Sequence, residues 1–250
     1  MKTALRLKLR TLCLGAELVA ALQASAMTPG LTQIIQCPGS TEIRQVPSIN
    51  SGNTFGATFW TDGYMVAPML PRFPAITRCT AKGPFFWVSS AKVVGSIAPW
   101  LEVAASEPQA WKDAPAVRDL TGEEFLQAIA QGLGDSPEKL GYLRRRAWWA
   151  ANQAHRQDSD GQAPTATSDF VQGSAARANL EALAAGLDET NAEELLTKIE
   201  ALRELARFEE ADKLLQSDKL SDERLKPWVL LIGDRVRLRD ARVAKLKTER

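Results

Sequence analysis

The sequence predicts an α+β protein in which a small antiparallel β unit precedes a mainly α-helical region. Three observations carry that prediction. From about Thr32 to Ser89, short β-branched or aromatic runs alternate with turn residues. After Trp100, capping signals and apolar residues at helical spacing take over. The composition, 45% hydrophobic and 24% charged over 250 residues, is that of a folded chain of one or two domains and argues against disorder of the whole.

Within residues 1–26, Lys2, Arg6, Lys8 and Arg10 precede an apolar segment ending in Ala24, Ser25 and Ala26, the small-x-small pattern that signal peptidase cuts. Glu17 splits that segment, and a carboxylate at the centre of an inserting helix costs about 3 kcal/mol. The favoured reading is therefore a start at Met27 and a cytoplasmic protein. The alternative is a cleaved signal peptide and an exported, periplasmic one. No later window offers the roughly 18 consecutive apolar residues of a membrane span, so none is expected after residue 26.

Residues 27–95 should form the β unit, as three hairpins. QIIQ and EIRQV flank the turn CPGST. TFGATFW and YMVAP flank Thr61, Asp62 and Gly63, where Asp-Gly suits a tight turn because both positions tolerate positive φ. AITR and PFFWV flank CTAKG. Pro68, Pro71 and Pro74 lack an N–H donor and separate the second hairpin from the third.

Residues 96–174 read as a connector followed by helix. Pro99, Pro108 and Pro115 punctuate a stretch with room for one short helix. Thr121 and Glu124 make a capping box for a helix from Gly122 to about Gln131, stopped by Gly132 and Gly134. Ser136 and Pro137 open the next helix, expected to run to about Gln157, and Asp158 to Ser174 has the composition of a loop.

Residues 175–250 hold three helical stretches. The first spans Ala175 to about Gly186. Asn191 and Glu194 cap the second, which carries Leu195, Ile199, Leu202 and Leu205 on one face. The stripe changes phase over Ala206 to Glu209, so the helix should break there. The third, drawn through to the C-terminal lysines, places Leu225, Val229, Ile232 and Val236 on one stripe, with Pro227 in its first turn or kinking it.

Lys plus Arg number 31 against 30 Asp plus Glu, so no global field steers the protein onto nucleic acid. A nucleic-acid reading would need a local basic strip of Arg44, Arg72, Arg78 and Lys82. One histidine and three cysteines are a thin stock for metal or nucleophile chemistry. Phosphate-binding glycine loops, H-E-x-x-H and G-x-S-x-G are missing from the sequence, and no catalytic residue is assigned.

Cys37 and Cys79 occupy equivalent points of two similar turns, CPGS and CTAKG. In a structural zinc ribbon each such turn supplies two thiolates, C-x-x-C, and the pair closes a tetrahedral site. Here Ser40 and Lys82 stand at the second positions, and an ammonium would repel the cation. Residues 33–88, in particular SGNTFGATFWTDGYMVAPMLP and RFPAITRCTAKGPFFWV, resemble the two-knuckle zinc-ribbon head of uncharacterised bacterial proteins whose head is followed by tetratricopeptide-type helices. The resemblance implies architecture and no activity, with Cys37 and Cys79 as remnant first-ligand positions. No cofactor is expected, zinc included. The head is instead expected to be a metal-free mini-core of Phe55, Phe59, Trp60, Tyr64, Phe85, Phe86 and Trp87. On the export alternative Cys37 and Cys79 would pair as a disulfide, closing a loop worth about 4 kcal/mol with a Cα separation near ~5.5 Å.

LRRRAWWAANQAHR, Leu143 to Arg156, holds the candidate binding residues. At helical spacing Arg145, Trp149, Asn152 and Arg156 share a face, with arginines as forks and tryptophan as platform. The competing structural reading makes Leu140, Leu143, Ala147, Ala151 and Ala154 the packing stripe, the arginines its solvated side and His155 a capped or surface residue. RELARFEEADKLL, Arg203 to Leu215, resembles the bend of a tetratricopeptide hairpin, with Ala206, Phe208, Ala211 and Leu214 as its small and aromatic packing positions.

The expected function is therefore non-enzymatic: a protein-interaction or scaffold role in which the helical body presents a groove to a protein partner. The alternative is a small anionic-ligand-binding protein or enzyme with a cleft around Arg144, Arg145, Arg146, Trp149 and His155.

Overall fold

A computed structural model describes residues 27–98, 107–158, 170 and 172–246. The leader question at residues 1–26 and most of the 158–174 loop lie outside them. Nine short strands come first: β1 (Thr28–Pro29), β2 (Thr32–Gln36), β3 (Ile43–Val46), β4 (Ile49–Ser51), β5 (Thr58–Phe59), β6 (Met65–Val66), β7 (Ile76–Thr77), β8 (Phe86–Trp87) and β9 (Lys92–Ile97). Eight helices follow: α1 (Gln109–Lys112), α2 (Gly122–Ala130), α3 (Pro137–Ala151), α4 (Gln153–Asp158), α5 (Ala175–Ala185), α6 (Ala192–Glu204), α7 (Phe208–Leu215) and α8 (Lys226–Arg237). The chain is α+β, and no helix among the described residues is long and apolar enough to cross a membrane.

The three expected hairpins are β2–β3, β5–β6 and β7–β8, all antiparallel. At the second, Gly63 sits at φ +77° and donates to the Trp60 carbonyl at 3.0 Å, while the Asp62 carboxylate accepts the Tyr64 N–H at 3.0 Å. β9 belongs to none of the three expected hairpins, runs past the expected boundary at residue 95 and pairs with the other edge of β2, giving the order β3-β2-β9. The outer edge of β3 is covered in turn by residues 115–117. Val117 donates to Gln45, and Gln45 donates to Pro115, at 2.8 and 3.0 Å.

Cys37 and Cys79 are joined by a disulfide that ties the first hairpin to the third, with Cα atoms 6.2 Å apart. The Ser40 hydroxyl caps its own turn by accepting the Glu42 N–H, and Lys82 is exposed. Among the described residues no group of three or more His, Cys, Asp or Glu is placed to hold a metal ion.

The aromatic residues do not form the expected mini-core. Phe55 is 78% exposed. Phe85 joins Leu120 and, in α2, Phe125, and Phe59 meets Trp228 of α8 edge-on at 5.8 Å, whereas Phe86 packs with Ile35 of β2 and with Val117. Tryptophan N–H groups stitch this boundary. Trp87 donates to the Leu133 carbonyl at 3.1 Å, Trp149 to Asp62 at 2.9 Å and Trp228 to Trp60 at 3.3 Å.

The helix caps read from sequence form as expected. Thr121 and Glu124 make a full capping box, Ser136 caps α3, and Asn191 accepts two N–H groups at the start of α6. Pro227 lies in the first turn of α8. Two boundaries differ from expectation. The helix opened by Pro137 stops at Ala151, with Asn152 interrupting it before α4. The last helix ends at Arg237, and the chain turns back so that Lys245 bridges Trp60, with Leu246 donating to Phe59 and Thr61 to Ala244, both at 2.8 Å.

Three helices end alike. After α2, α6 and α8 the residues Gly132, Ala206 and Arg239 take positive φ, and each closes a pair of N–H···O bonds back onto the last turn. Ala206 is exposed there, so it serves as a left-handed cap and not as the close helix-crossing residue expected of it. Phe208 and Ala211 do enter the core, with Leu196, Ile199, Ile232 and Val236.

Candidate functional site

Three of the four residues proposed on the α3 face converge, and the fourth does not. Trp149, Asn152 and Arg156 all reach the Asp62 turn of the second hairpin, whereas Arg145 makes no hydrogen bond or ion pair among the described residues. The expected open face is a buried lattice. Asn152 is 1% exposed and Arg156 5%, and Arg156 pairs with an Asp62 side chain that water does not reach. Burial of the guanidiniums corrects the reading in which the arginines formed the solvated side. His155, expected at the surface, is also buried, and Ala154 of the expected packing stripe is exposed.

The lattice continues into α6. The Asn152 amide spends its two N–H groups on two acids, Asp62 at 3.0 Å and Glu204 at 3.0–3.2 Å. Trp148 donates to the same Glu204 at 2.7 Å. Arg203, 0% exposed, takes Glu200 with two parallel N–H···O bonds of 2.5 and 2.7 Å and donates to the Asp240 carbonyl. Three carboxyl groups and two guanidiniums are thus buried together. Burial first, then the Glu200 and Asp62 carboxylates, lift the Glu204 pKa well above the usual carboxylate range, against the pull of Arg203 and the Trp148 N–H. Burial also raises Asp62, opposed by Arg156 and Asn152. The lattice is filled, and it fixes the Asp62 hairpin against α3, α4 and α6.

The same Trp149 forms one wall of an open cavity. This space, about 450 Å³, is lined by Tyr64, Asp119, Leu120, Phe125, Arg146 and Trp149, with the start of α2 at its mouth. Arg146, 6% exposed, pairs with the half-exposed Asp119 and packs beside the rings of Phe125, Tyr142 and Trp149 at 5.4–6.0 Å. Arg72 lies over Tyr64 and Trp149, 5.1 and 4.6 Å from their centroids. Of the cleft residues anticipated from sequence, Arg146 and Trp149 line this cavity. Arg144 turns to Asn179, which it meets at 3.3 Å, and His155 lies in the buried region.

A second concave surface lies on the helical body. α5, α6 and α7 enclose a groove of about 480 Å³ with Ala184, Leu202 and Leu214 among its lining and Glu181, Lys198, Arg207, Glu210 and Lys213 at its sides. Several of those charges are already paired, Lys198 with Glu189 at 2.7 Å and Arg207 with Glu210 at 2.5 Å. Of the basic strip considered for nucleic acid, Arg44 binds the Cys79 carbonyl and Glu42, and Arg78 pairs with Glu124 at 3.4 Å.

No family model, curated protein or solved structure matches this chain.

Sequence reasoning missed Asp62, Asp119, Glu200 and Glu204 as partners. Asp62 was visible only as a turn former. Glu200, Arg203 and Glu204 have the spacing of a solvated helix face, and the one signal to the contrary was their interleaving with the apolar positions Ile199, Leu202 and Leu205.

Proposed function

We propose that the chain is a non-enzymatic interaction protein whose α5–α7 groove receives a segment of a protein partner. The observation that carries this reading is the groove itself, in which half-buried Leu214 and exposed Ala185 offer apolar surface over the buried Ala184 and Leu202, between charged sides of both signs. Such a surface suits a short peptide that buries one or two apolar anchors and offers charges to the rim. Successive helices α5 to α8 packing on one another, as in tetratricopeptide hairpins, support the same reading. The Cys37–Cys79 disulfide supports the exported alternative against the cytoplasmic reading favoured from the sequence, because cytosolic thiols are kept reduced.

Selection of displayed random peptides on the protein tests the groove, with Ala185→Trp as the counter-screen. Ala185 is exposed on the groove wall, so an indole there fills the space without entering the core. Enriched peptides should bind the parent and lose that binding to A185W. Peptides indifferent to the substitution would place the interaction elsewhere. Thiol alkylation with peptide mapping of natively expressed protein tests the compartment: Cys37 and Cys79 should be unreactive until reduced, and free thiols at both would return the protein to the cytoplasm.

A further inference from the structure

Arg72 is a cation without a counter-charge in direct contact. It extends from the proline-punctuated segment between β6 and β7, is exposed, and makes no hydrogen bond or ion pair among the described residues. Two aromatic rings hold it nonetheless, Tyr64 at 5.1 Å and Trp149 at 4.6 Å from the guanidinium carbon. A long side chain loses rotamer entropy when pinned in this way, and what it gains is a fixed position over a ring that a second guanidinium also approaches. Arg146 lies 6.0 Å from the same Trp149 ring. The two like charges sense one another: partial desolvation first, and the Arg146 charge second, push the Arg72 pKa below its ordinary value.

Asp119 offsets only part of this positive charge. Arg146 spends its hydrogen bonding among the described residues on Asp119 alone, leaving most of its five N–H donors unused. The adjoining cavity of about 450 Å³ is of the size that takes a small molecule. Its walls are of two kinds, Leu120, Phe125 and the indole of Trp149 on one hand, Arg146 and the half-exposed Asp119 on the other. A ligand that matches both carries an anionic oxygen group at one end and a flat apolar body at the other.

We propose that this cavity binds a small organic anion, a carboxylate or phosphate monoester borne on a flat ring, with Arg72 and Arg146 on the anionic oxygens and Trp149 against the ring. Arg146 presents the buried, fixed fork, and Arg72 closes over the ligand from the rim. Asp119 is the built-in competitor, occupying Arg146 when the site is empty. This site is separate from the α5–α7 groove, and filling that groove with A185W leaves it unchanged.

Isothermal titration calorimetry on the full chain tests the proposal, with benzoate and phenyl phosphate as probes and acetate and inorganic phosphate as their ringless counterparts. Saturable binding of either ring-bearing probe is expected, and their ratio identifies the preferred headgroup. Arg72→Gln should weaken that binding about ten-fold or more, the loss of a charge-assisted contact, while costing little thermal stability, because Arg72 makes only two ring contacts and no hydrogen bond or ion pair among the described residues. Asp119→Asn should act in the opposite direction, tightening binding by releasing Arg146. Absence of saturable heat with both ring-bearing probes overturns the proposal. So does parental affinity in R72Q, weaker binding in D119N, or ringless anions that bind as well as their ring-bearing counterparts.

Discussion

Replacing Glu204 by Gln probes the charge balance of the buried lattice directly. Glu204 is 2% exposed, accepts N–H groups from Trp148 and Asn152, and has the Glu200 and Asp62 carboxylates as neighbours. Its pKa is raised by burial first and by those like charges second, so the folded protein holds a proton that the unfolded chain releases near the ordinary value of 4.5. A folded pKa above the unfolded one gives stability that is fully present below the unfolded value and is lost as pH rises through the folded value. While only the folded state holds the proton, the loss amounts to at most about 1.4 kcal/mol per pH unit.

Asp62 is raised as well, by burial above all, and contributes with the same sign. Comparison with E204Q removes that shared part. Glutamine cannot ionise and keeps one carbonyl for Trp148 or Asn152, at the cost of about 1 kcal/mol for the acceptor it gives up. Near pH 4.5 the variant should therefore be slightly less stable than the parent, and with rising pH the parent should fall towards it and below it. Urea denaturation at a series of pH values up to about 8 gives both curves. Parallel curves would show that Glu204 carries the same proton in both states, and the assignment of a neutral buried acid would be wrong.

Other perturbations have equally definite outcomes. Replacing Cys37 and Cys79 together by Ala opens a loop with a sequence separation of 42, and the denaturation free energy should fall by about 4 kcal/mol; a variant as stable as the oxidised parent would refute the bridge as a stabiliser. Ala206→Gly removes the side chain from a left-handed cap at φ +60° and should raise stability by about 1 kcal/mol, read as a higher urea midpoint at unchanged slope. Deleting residues 243–250 removes buried Val243, Ala244 and Leu246 and their bonds to Phe59 and Thr61, for an expected loss of about 3–5 kcal/mol; an unaltered melting temperature would mean that the tail is not part of the folded unit.

Local chemistry was legible in the sequence where the cause of structure is itself local. Thr121 with Glu124, Ser136 with Pro137, and Asn191 determine helix starts within four residues of themselves. The turn between Thr61 and Tyr64 follows from one Asp-Gly pair. What stayed hidden depends on distant partners. β9 contains Gly95, a poor strand former, but the Trp111 ring packs where a Cβ would stand, so only glycine fits. Phe59 and Phe85 were correctly seen as aromatic packing residues, yet nothing in their spacing says that they pack against helices instead of one another. Arg156 and Glu204 look like surface residues because their burial requires Asp62, which lies 94 positions before Arg156.

The two cysteines show why these long-range partners matter. A ribbon with four thiolates is held by its metal and needs little else; here each turn contributes one sulfur, and a disulfide fixes only the base of the hairpins. The second hairpin lies within the loop that the bridge closes but carries neither cysteine, and its own ladder is two residues long on each strand. Hairpins that short have no independent stability. Its position is therefore set from outside: Asp62 is bound by Asn152 and Arg156, the backbone of Trp60, Thr61 and Asp62 is met by Trp228, Ala244 and Trp149, and the C-terminal tail lies against Phe59. Because Tyr64 and Trp149 belong at once to this anchorage and to the walls of the Arg72–Arg146 cavity, the contacts that order the hairpin also give that cavity its shape.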